Sequence, residues 1–469
     1  MIDEICSLGV SELARLYRQK ELSVFEVVNS HLQRCERLNP ILNAFIHILH
    51  ESAMKAAKAM DNLFKAGIDL GPLQGIPISV KDIICVRGTV TTAGSPVLLH
   101  EPPDKDDAEV VQLLRRAGGI IIGKTNLYEF AAGDPDPSGP FGLVQNPRCI
   151  GCHPGSSSSG AGASVSAGLG VIAIGTDTGG SVRIPAYLCG VTGLKPTTGR
   201  ISMEGIIPLS FTMDTVGPLG RRISDVAAVW DACDGSNHLG AFDQLSSSGR
   251  NKLDRPVTGW HVGVLEGEYF GQLQPEVSNI FQNTLKLLSE LGCRLNSVSP
   301  QVSEDTLEAY INIVQAELAV YHEKYRHRDN LYGAGFHERL LQGREIKALS
   351  YLKARQHQKE LQEKWLKLMD GLDVLVLPTG PLLAPFYRER TVEVCGKSYP
   401  FRAAWNRFTR PFNLLGWPAL TLPNGTSDKG LPAGLQIVGP PYSDEKLLIL
   451  GDQLERALGL VDTLGIEPR

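Results

Sequence analysis

The spacing of apolar side chains in residues 1–65 is that of a helix. Ser23-Val24-Phe25-Glu26 has the form of a capping box, in which a hydroxyl and a carboxylate three residues later close the first turn. The apolar face of this helix continues through Val27, Val28, Leu32 and Leu38. The pattern therefore predicts an N-terminal helical layer over residues 1–65.

Beyond this layer, short apolar runs alternate with amphipathic helical patterns. The runs Ile76–Val80, Gly119–Ile122 and Val171–Ile174 have the length and composition of buried strands, and Asp107–Ala117 has helical spacing. Strands that alternate with helices are typical of an α/β core. Residues 66–235 are therefore predicted to form the main part of such a core.

Long helical patterns follow, and strand-like runs return near the end of the chain. Residues 236–370 hold the helical patterns Glu276–Leu291 and Arg344–Met369, whereas residues 371–469 hold apolar runs such as Ala419–Leu422. We predict that 236–370 is a variable helical insertion that shapes the substrate pocket, and that 371–469 supplies C-terminal strands and a helix that complete the core. The predicted fold class is α/β, with a single large mixed β-sheet covered by helices on both faces.

Charge and composition exclude several kinds of partner. The 46 Lys and Arg residues against 51 Asp and Glu residues form no long basic block, so nucleic acid is not an expected partner. The longest Gly/Ala/Val-rich stretch, Gly160–Gly175, is interrupted by serines and is too short to cross a bilayer, so no membrane association is expected. The acidic start of the chain does not resemble a secretory signal, and the nine scattered cysteines do not resemble a disulfide framework. We therefore expect a cytoplasmic protein with reduced cysteines.

Three segments carry residues with catalytic potential. Lys81 ends an apolar run, where burial favours a neutral amine that can accept a proton. Gly155–Gly160 holds four serines and leads into a helix of small residues, and Gly175–Ala186 contains a turn whose N–H groups can converge on one point. Each segment alone also has an ordinary explanation: a strand-end lysine paired with Asp82, a flexible linker, or a plain turn.

Together the three segments resemble the amidase signature family. The family's Gly-Gly-Ser-Ser-Gly-Gly-Ser block aligns with Gly155–Ala161, and its Asp-Thr-Gly-Gly-Ser-Ile-Arg block aligns with Asp177–Arg183. Its catalytic lysine falls on Lys81, and the 24-residue separation of its two catalytic serines matches Ser157 and Ser181. The resemblance extends over nearly the whole chain apart from the predicted insertion.

This resemblance implies the amidase signature fold and a catalytic arrangement. Ser181 would be the nucleophile, Ser157 an intermediate serine held in a cis peptide bond, and Lys81 a neutral base that draws the proton from Ser181 through Ser157. The implied oxyanion hole consists of the N–H groups of Thr178, Gly179, Gly180 and Ser181. The residues expected to support the site structurally are Ser158, Asp177 and Arg183. The resemblance implies no metal and no cofactor.

The sequence departs from the family pattern at a few positions. Ser156 and Ser159 stand where the family has glycine, and Ala161 stands where it has serine. Ile184 occupies a position at which the glutamine-tRNA-forming amidotransferase subunit usually carries Gln. A tRNA-coupled role is therefore not expected.

The predicted function is hydrolysis of carbon–nitrogen acyl bonds in small linear amides, aryl amides included, or in carbamates (urethanes), but not in peptide bonds. The substrate-binding candidates are Tyr128 and Phe141, and the other aromatic residues of the segments expected to set specificity include Tyr310, Tyr321, Tyr332 and Phe336. The expected partner is the small-molecule substrate alone, with the chain as a monomer or a homodimer.

Three alternatives remain open. The first is hydrolysis of anionic amides related to biuret or urea, for which Arg326, Arg328 and Arg339 would form a cationic clamp if they point inward. The second is a non-catalytic or partner-dependent amidotransferase-type subunit of the same fold. The third is a metal site at Cys149 and Cys152 with His153, although one such cysteine pair is a weak signal for a metal.

Overall fold

The computed structural model describes residues 2–234 and 252–459. Within these ranges the strands, in chain order, are β1 Phe45–Ile48, β2 Pro77–Lys81, β3 Ile120–Thr125, β4 Ile172–Asp177, β5 Thr192–Lys195, β6 Thr215–Gly220, β7 His261–Leu265, β8 Arg294–Val298, β9 Val374–Pro378, β10 Thr391–Val394, β11 Lys397–Pro400, β12 Ala419–Thr426 and β13 Pro432–Val438.

Eleven of these strands form one mixed sheet in the order β1-β3-β2-β4-β6-β5-β12-β13-β9-β7-β8, and β10 pairs with β11 in a separate hairpin. The strand β2 lies parallel between β3 and β4, whereas β4 pairs antiparallel with β6. The predicted α/β class with one large mixed sheet is therefore confirmed.

Helices flank this sheet. The α-helices of the described residues are α1 Ile2–Ser7, α2 Val10–Gln19, α3 Val24–Leu42, α4 His50–Lys65, α5 Glu109–Arg116, α6 Ser159–Ser166, α7 Arg183–Cys189, α8 Ile223–Cys233, α9 Gly267–Phe270, α10 Pro275–Glu290, α11 Glu304–His322, α12 Ala334–Arg344, α13 Ala348–Leu368, α14 Phe401–Trp405, α15 Arg410–Leu415 and α16 Asp444–Leu458. Short 3-10 turns occupy Pro96–Leu98, Glu129–Ala131, Lys252–Asp254 and Glu323–Leu331. The helix α3 begins at the predicted capping box, where the Glu26 N–H donates to Ser23 Oγ at 3.1 Å.

The central strands are dry because their sequences are apolar or small at most positions. Every residue of β2, β3 and β4 is buried. Parallel strands that are covered on both faces have such near-continuous apolar sequences. A polar side chain at the end of one of these strands, such as Lys81 or Asp177, is consequently removed from water.

The segment predicted as a helical insertion contains strands as well as helices. Its helices α10 to α13 form as the spacing predicts, but β7 and β8 also add two strands to one edge of the sheet. The helix α11 packs against α12, α13 and α15. The predicted boundary between residues 235 and 236 lies outside the described residues, and the division into four segments stays a prediction.

No helix in the described part of the chain combines the length and the apolar composition that crossing a membrane requires.

Candidate active site

Lys81 lies at the end of β2 with its amine enclosed by hydroxyl groups. Its Nζ is 2.7 Å from Ser157 Oγ, 3.0 Å from Ser158 Oγ and 3.1 Å from Thr176 Oγ1. The side chain is fully buried. The strand position fixes the lysine backbone, and the serine-rich loop that leads into α6 supplies two of the three hydroxyls.

Burial favours the neutral form of the Lys81 amine. Loss of water lowers the pKa of this amine to about 7, although the negative charges of Asp214 and Asp177 act in the opposite direction. The ordinary explanation, in which Lys81 pairs with Asp82, is wrong, because Asp82 forms its ion pair with Lys124 at 2.9 Å. A neutral amine is thus available close to pH 7.

The serine-rich loop directs its hydroxyls to different partners. Ser157 and Ser158 face Lys81, whereas Ser156 Oγ lies 3.1 Å from Ser181 Oγ. Among the described residues no hydrogen bond joins Ser157 to Ser181, so the relay implied by the family resemblance is complete only from Lys81 to Ser157. Consecutive side chains in a non-helical loop point in different directions, and here the neighbour of Ser157 contacts the expected nucleophile.

The implied cis peptide bond at Ser157 is not present, since no peptide bond between described residues is cis. For a residue other than proline the trans form is favoured by about 3–4 kcal/mol. The loop instead turns at Gly155, which has φ +130° and whose backbone touches Pro185; a Cβ there would lie 2.5 Å from Pro185 Cα. Ser157 reaches Lys81 with trans bonds throughout.

The turn after β4 is built around the carboxylate of Asp177. That carboxylate accepts hydrogen bonds from the N–H groups of Gly180 at 2.8 Å and Val182 at 3.1 Å. The N–H of Gly180 is therefore already engaged, in contrast to its expected place in an oxyanion hole. The N–H groups of Thr178, Gly179 and Ser181 donate no hydrogen bond within the described part of the chain.

Arg183 and Asp177 form a fully buried, two-point ion pair. Arg183 Nε donates to Asp177 Oδ2 at 3.0 Å, and Arg183 Nη2 donates to Asp177 Oδ1 at 2.9 Å. Burial alone would raise the pKa of Asp177, but the Arg183 charge and the hydrogen bonds outweigh it and hold that pKa well below its usual range. The pair has the geometry of the structural support expected of these two residues, and Ser158 adds a hydrogen bond to the Thr176 carbonyl at 3.2 Å.

Asp214 is a further site residue, which the sequence analysis does not single out. It accepts a hydrogen bond from Thr178 Oγ1 and is itself held by the N–H groups of Leu209 and Ser210. Burial raises its pKa to about 6. Asp214 therefore fixes one side of the turn that carries Ser181 and places a negative charge near Lys81.

A pocket opens at Ser181 and contains three arginines. Its lining includes Ser156, Thr178, Gly179 and Ser181 on one side, and Tyr310, Arg339, Arg402 and Arg410 on the other. Of the three arginines considered for a cationic clamp, only Arg339 reaches this pocket. Arg326 pairs with Glu323 on the surface, and Arg328 binds Glu101 and the Val97 carbonyl.

The predicted substrate-binding residues Tyr128 and Phe141 do not line the pocket at Ser181. They line a neighbouring cavity of about 820 Å³, together with Tyr332 and Phe336. The Tyr128 hydroxyl donates to the Gly155 carbonyl at 2.5 Å, and this bond holds the ring behind the serine-rich loop. Tyr310 is the aromatic residue of the predicted set that faces Ser181.

Cys149 and Cys152 are joined in a disulfide, with their Cα atoms 5.4 Å apart. This contradicts the expectation of reduced cysteines at these two positions, and it follows from a tight turn in which the Cys152 N–H donates to the Cys149 carbonyl. The sulfurs are bonded to each other, and His153 packs between the rings of Tyr387 and Phe401. The residues considered for a metal site are therefore otherwise engaged.

A family model described as Amidase matches residues 26–448. The chain belongs to the amidase signature family. A glutamyl-tRNA(Gln) amidotransferase subunit from Alkaliphilus metalliredigens (strain QYMF) is 34% identical over 486 residues, which cover 97% of this chain and 98% of that protein. This family assignment supports an enzyme that acts on carbon–nitrogen acyl bonds.

Solved structures show the same amidase signature fold over nearly the full length. An amidase is 33% identical with a TM-score of 0.87, covering 96% of this chain and 99% of that chain. A chain from a vestigial protein complex, described as revealing the evolutionary origins of an s-triazine catabolic enzyme, is 30% identical with a TM-score of 0.88 and the same coverage. The amidotransferase relative and this complex fit the partner-dependent alternative better than the predicted hydrolysis of carbamates (urethanes).

Proposed function

We propose that this chain cleaves the carbon–nitrogen acyl bond of a small amide, with Ser181 as the nucleophile and with Ser157 and Lys81 as the route for the proton. The observation that carries the proposal is the buried amine of Lys81, which has a pKa of about 7 and lies 2.7 Å from Ser157 Oγ. A lysine that is neutral near pH 7 can take the role that histidine has in Ser-His-Asp hydrolases.

The proposed reaction has two halves. Ser181 Oγ attacks the carbonyl carbon, and its proton passes through Ser157 to Lys81. The tetrahedral intermediate then expels the amine, which takes the proton from the Lys81 ammonium, so that the carbon–nitrogen bond is replaced by an ester to Ser181. In the second half water attacks this ester, Lys81 again accepts the proton, and Ser181 is released together with the carboxylic acid.

The relay requires that Ser157 and Ser181 form a hydrogen bond during the reaction. In enzymes without substrate such catalytic contacts are often long or poorly aligned, and they shorten in the substrate complex. Ser156 holds the Ser181 hydroxyl at 3.1 Å in the meantime. Substrate binding at the pocket that Ser156 and Ser181 share would exchange one contact for the other.

The N–H groups of Thr178, Gly179 and Ser181 supply the proposed oxyanion hole. They lie in the same turn as the nucleophile, and they donate no hydrogen bond within the described residues. Each donor of this kind contributes about 3–4 kcal/mol to transition-state stabilisation in acyl-transfer enzymes. The N–H of Gly180 serves the turn itself by binding Asp177 at 2.8 Å.

A second candidate is a partner-dependent protein that performs the same cleavage only in a complex. Two observations favour it: the relative named as a subunit of an amidotransferase, and the solved chain that comes from a vestigial protein complex. In this candidate the Ser181 chemistry is unchanged, and the released ammonia is used by a partner chain.

Release of ammonia from simple amides by the isolated chain tests the proposal. The panel contains an aryl amide, a carbamate, a urea and an anionic amide, and the variants are Ser181→Ala, Ser157→Ala and Lys81→Ala. Ser159→Ala is the matched control, because the Ser159 hydroxyl is buried in the same loop and has no hydrogen-bond partner among the described residues. Wild-type turnover that persists in Ser181→Ala would overturn the proposal. No turnover by the isolated chain, followed by turnover when a copurified partner is added, would favour the second candidate.

A further inference from the structure

Three guanidinium groups surround the pocket at Ser181, and two of them have no counterion among the described residues. Arg402 forms an ion pair with Asp134 at 2.5 Å. Within 2–234 and 252–459 neither Arg339 nor Arg410 has a carboxylate within 4 Å, and Arg410 Nε is buried there without a hydrogen-bond partner. The arginines come from α12, α14 and α15, so three separate elements bring positive charge to one small space.

Arg410 lies directly beside the turn that carries the nucleophile. A Cβ added at Gly179 would be 3.6 Å from Arg410 Cγ and 2.2 Å from the Tyr310 hydroxyl. The Arg410 guanidinium lies over the Tyr310 ring at 5.1 Å from its centre. Gly179, Tyr310 and Arg410 are therefore in continuous contact, and they place a cation within the same pocket as the N–H groups proposed for the oxyanion hole.

This arrangement is unfavourable until an anion enters. Half-buried cations that face one another lose hydration and repel. Burial, reinforced by the charges of Arg402 and Arg410, lowers the pKa of Arg339 to about 10. A carboxylate among these side chains would remove the repulsion and form charge-assisted hydrogen bonds with guanidinium groups, whose planar geometry suits a carboxylate.

We propose that the pocket binds the carboxylate of the substrate, so that the amide cleaved at Ser181 is a small anionic amide with its carboxylate a few bonds from the scissile carbonyl. This inference rests on the proposed function. The substrate class includes the monoamides of short dicarboxylic acids and carboxylated ureas.

The pocket also selects against an ammonium group near that carboxylate. Its lining among the described residues contains no Asp or Glu, whereas it contains Arg339, Arg402 and Arg410. An amino acid amide such as asparagine would bring its α-ammonium into this positive field without a partner. Amides that carry a carboxylate and no ammonium are therefore the preferred substrates.

Three amides of the same carbon skeleton test the proposal: succinamate, its neutral isostere succinamide, and L-asparagine. We expect kcat/KM for succinamate to exceed that for succinamide by at least about 10²-fold, and that for asparagine by at least about 10-fold. Equal values for succinamate and succinamide, or a preference for asparagine, would overturn the proposal.

Arginine variants locate the effect. Arg339→Gln and Arg410→Gln should each lower the ratio of kcat/KM for succinamate over succinamide by at least about 10-fold, chiefly through KM, and Arg339→Lys should keep part of it. Arg326→Gln is the matched control, since Arg326 is an exposed arginine paired with Glu323 outside the pocket. An unchanged ratio in correctly folded Arg339→Gln would overturn the proposal.

Binding of succinate to Ser181→Ala by calorimetry gives a readout that does not need turnover. Succinate should bind, and Arg339→Gln in the same background should weaken it by at least about 10-fold; absence of succinate binding would overturn the inference. Failure of the two proposals is distinguishable. Turnover that survives Ser181→Ala overturns the proposed function, whereas Ser181-dependent turnover without a carboxylate preference overturns only the inference.

Discussion

The hydroxyl oxygens of Ser156 and Ser181 lie 3.1 Å apart. Ser156 stands where the family pattern has glycine, so this chain carries a hydroxyl that the pattern lacks at the nucleophile. The neighbouring Ser157 instead lies at 2.7 Å from Lys81 Nζ. Two adjacent serines thus divide the contacts that the resemblance gives to one.

This division predicts different effects for two matched alanine variants. Ser156→Ala removes one neutral hydrogen bond to the nucleophile, and we expect kcat to fall by about 5-fold. Ser157→Ala removes the link between Lys81 and Ser181, and we expect kcat to fall by at least about 10³-fold. Steady-state kinetics of both variants decide the roles. A loss in Ser156→Ala as large as that in Ser157→Ala would make Ser156 the relay serine.

The pKa of Lys81 sets the pH dependence of the reaction. Because the base is the neutral amine and its pKa is about 7, kcat/KM should rise about tenfold per pH unit below pH 7 and level off above it. The pH profile of kcat/KM for a substrate that does not titrate between pH 5 and pH 9 checks this. Activity that falls as the pH rises from 6 to 8 would contradict a neutral lysine base.

Asp214 provides a signed test of the same assignment. Its negative charge raises the pKa of Lys81, so Asp214→Asn should lower that pKa and move the rising limb of the profile to lower pH. The maximal rate should fall as well, since Asn cannot accept the Thr178 hydroxyl bond in the same way. A limb that moves to higher pH would show that another group controls it.

The ion pair of Arg183 with Asp177 predicts a large effect on stability. Arg183→Gln leaves the Asp177 carboxylate buried without its counterion, so we expect the free energy of unfolding to fall by about 3–5 kcal/mol. Urea denaturation at pH 7 measures this. The exposed pair of Arg326 with Glu323 is the control, and Arg326→Gln should cost less than about 1 kcal/mol. Equal effects in the two variants would contradict a bracing role.

The fold class can be predicted from sequence because short apolar runs and helical spacing are local signals. The run Ile76–Val80 corresponds to β2, and the capping box at Ser23 begins α3 as predicted. The sequence does not predict the strands β7 and β8, because they lie between strong helical patterns and join the sheet only through pairing with β9. Pairing between distant segments leaves no local pattern.

The site shows the same limit. Lys81, Ser157 and Ser181 come from aligned motifs, whereas Arg402 and Arg410 follow them by more than two hundred residues and meet Ser181 only in the folded chain. One local signal does mark Arg410. It is the first residue of α15, an end of a helix where a positive charge is unfavourable, and such inconsistencies occur at functional positions.

Covalent labelling of the nucleophile tests the central claim most directly. A sulfonyl fluoride reacts with an activated serine to give a stable ester that mass spectrometry of peptides can locate. We predict one sulfonyl group on Ser181, complete loss of activity, a labelling rate that rises with pH through about 7, and no labelling in Ser181→Ala. Inactivation with the label on Ser156 or Ser157, or with Ser181 unmodified, would contradict the account.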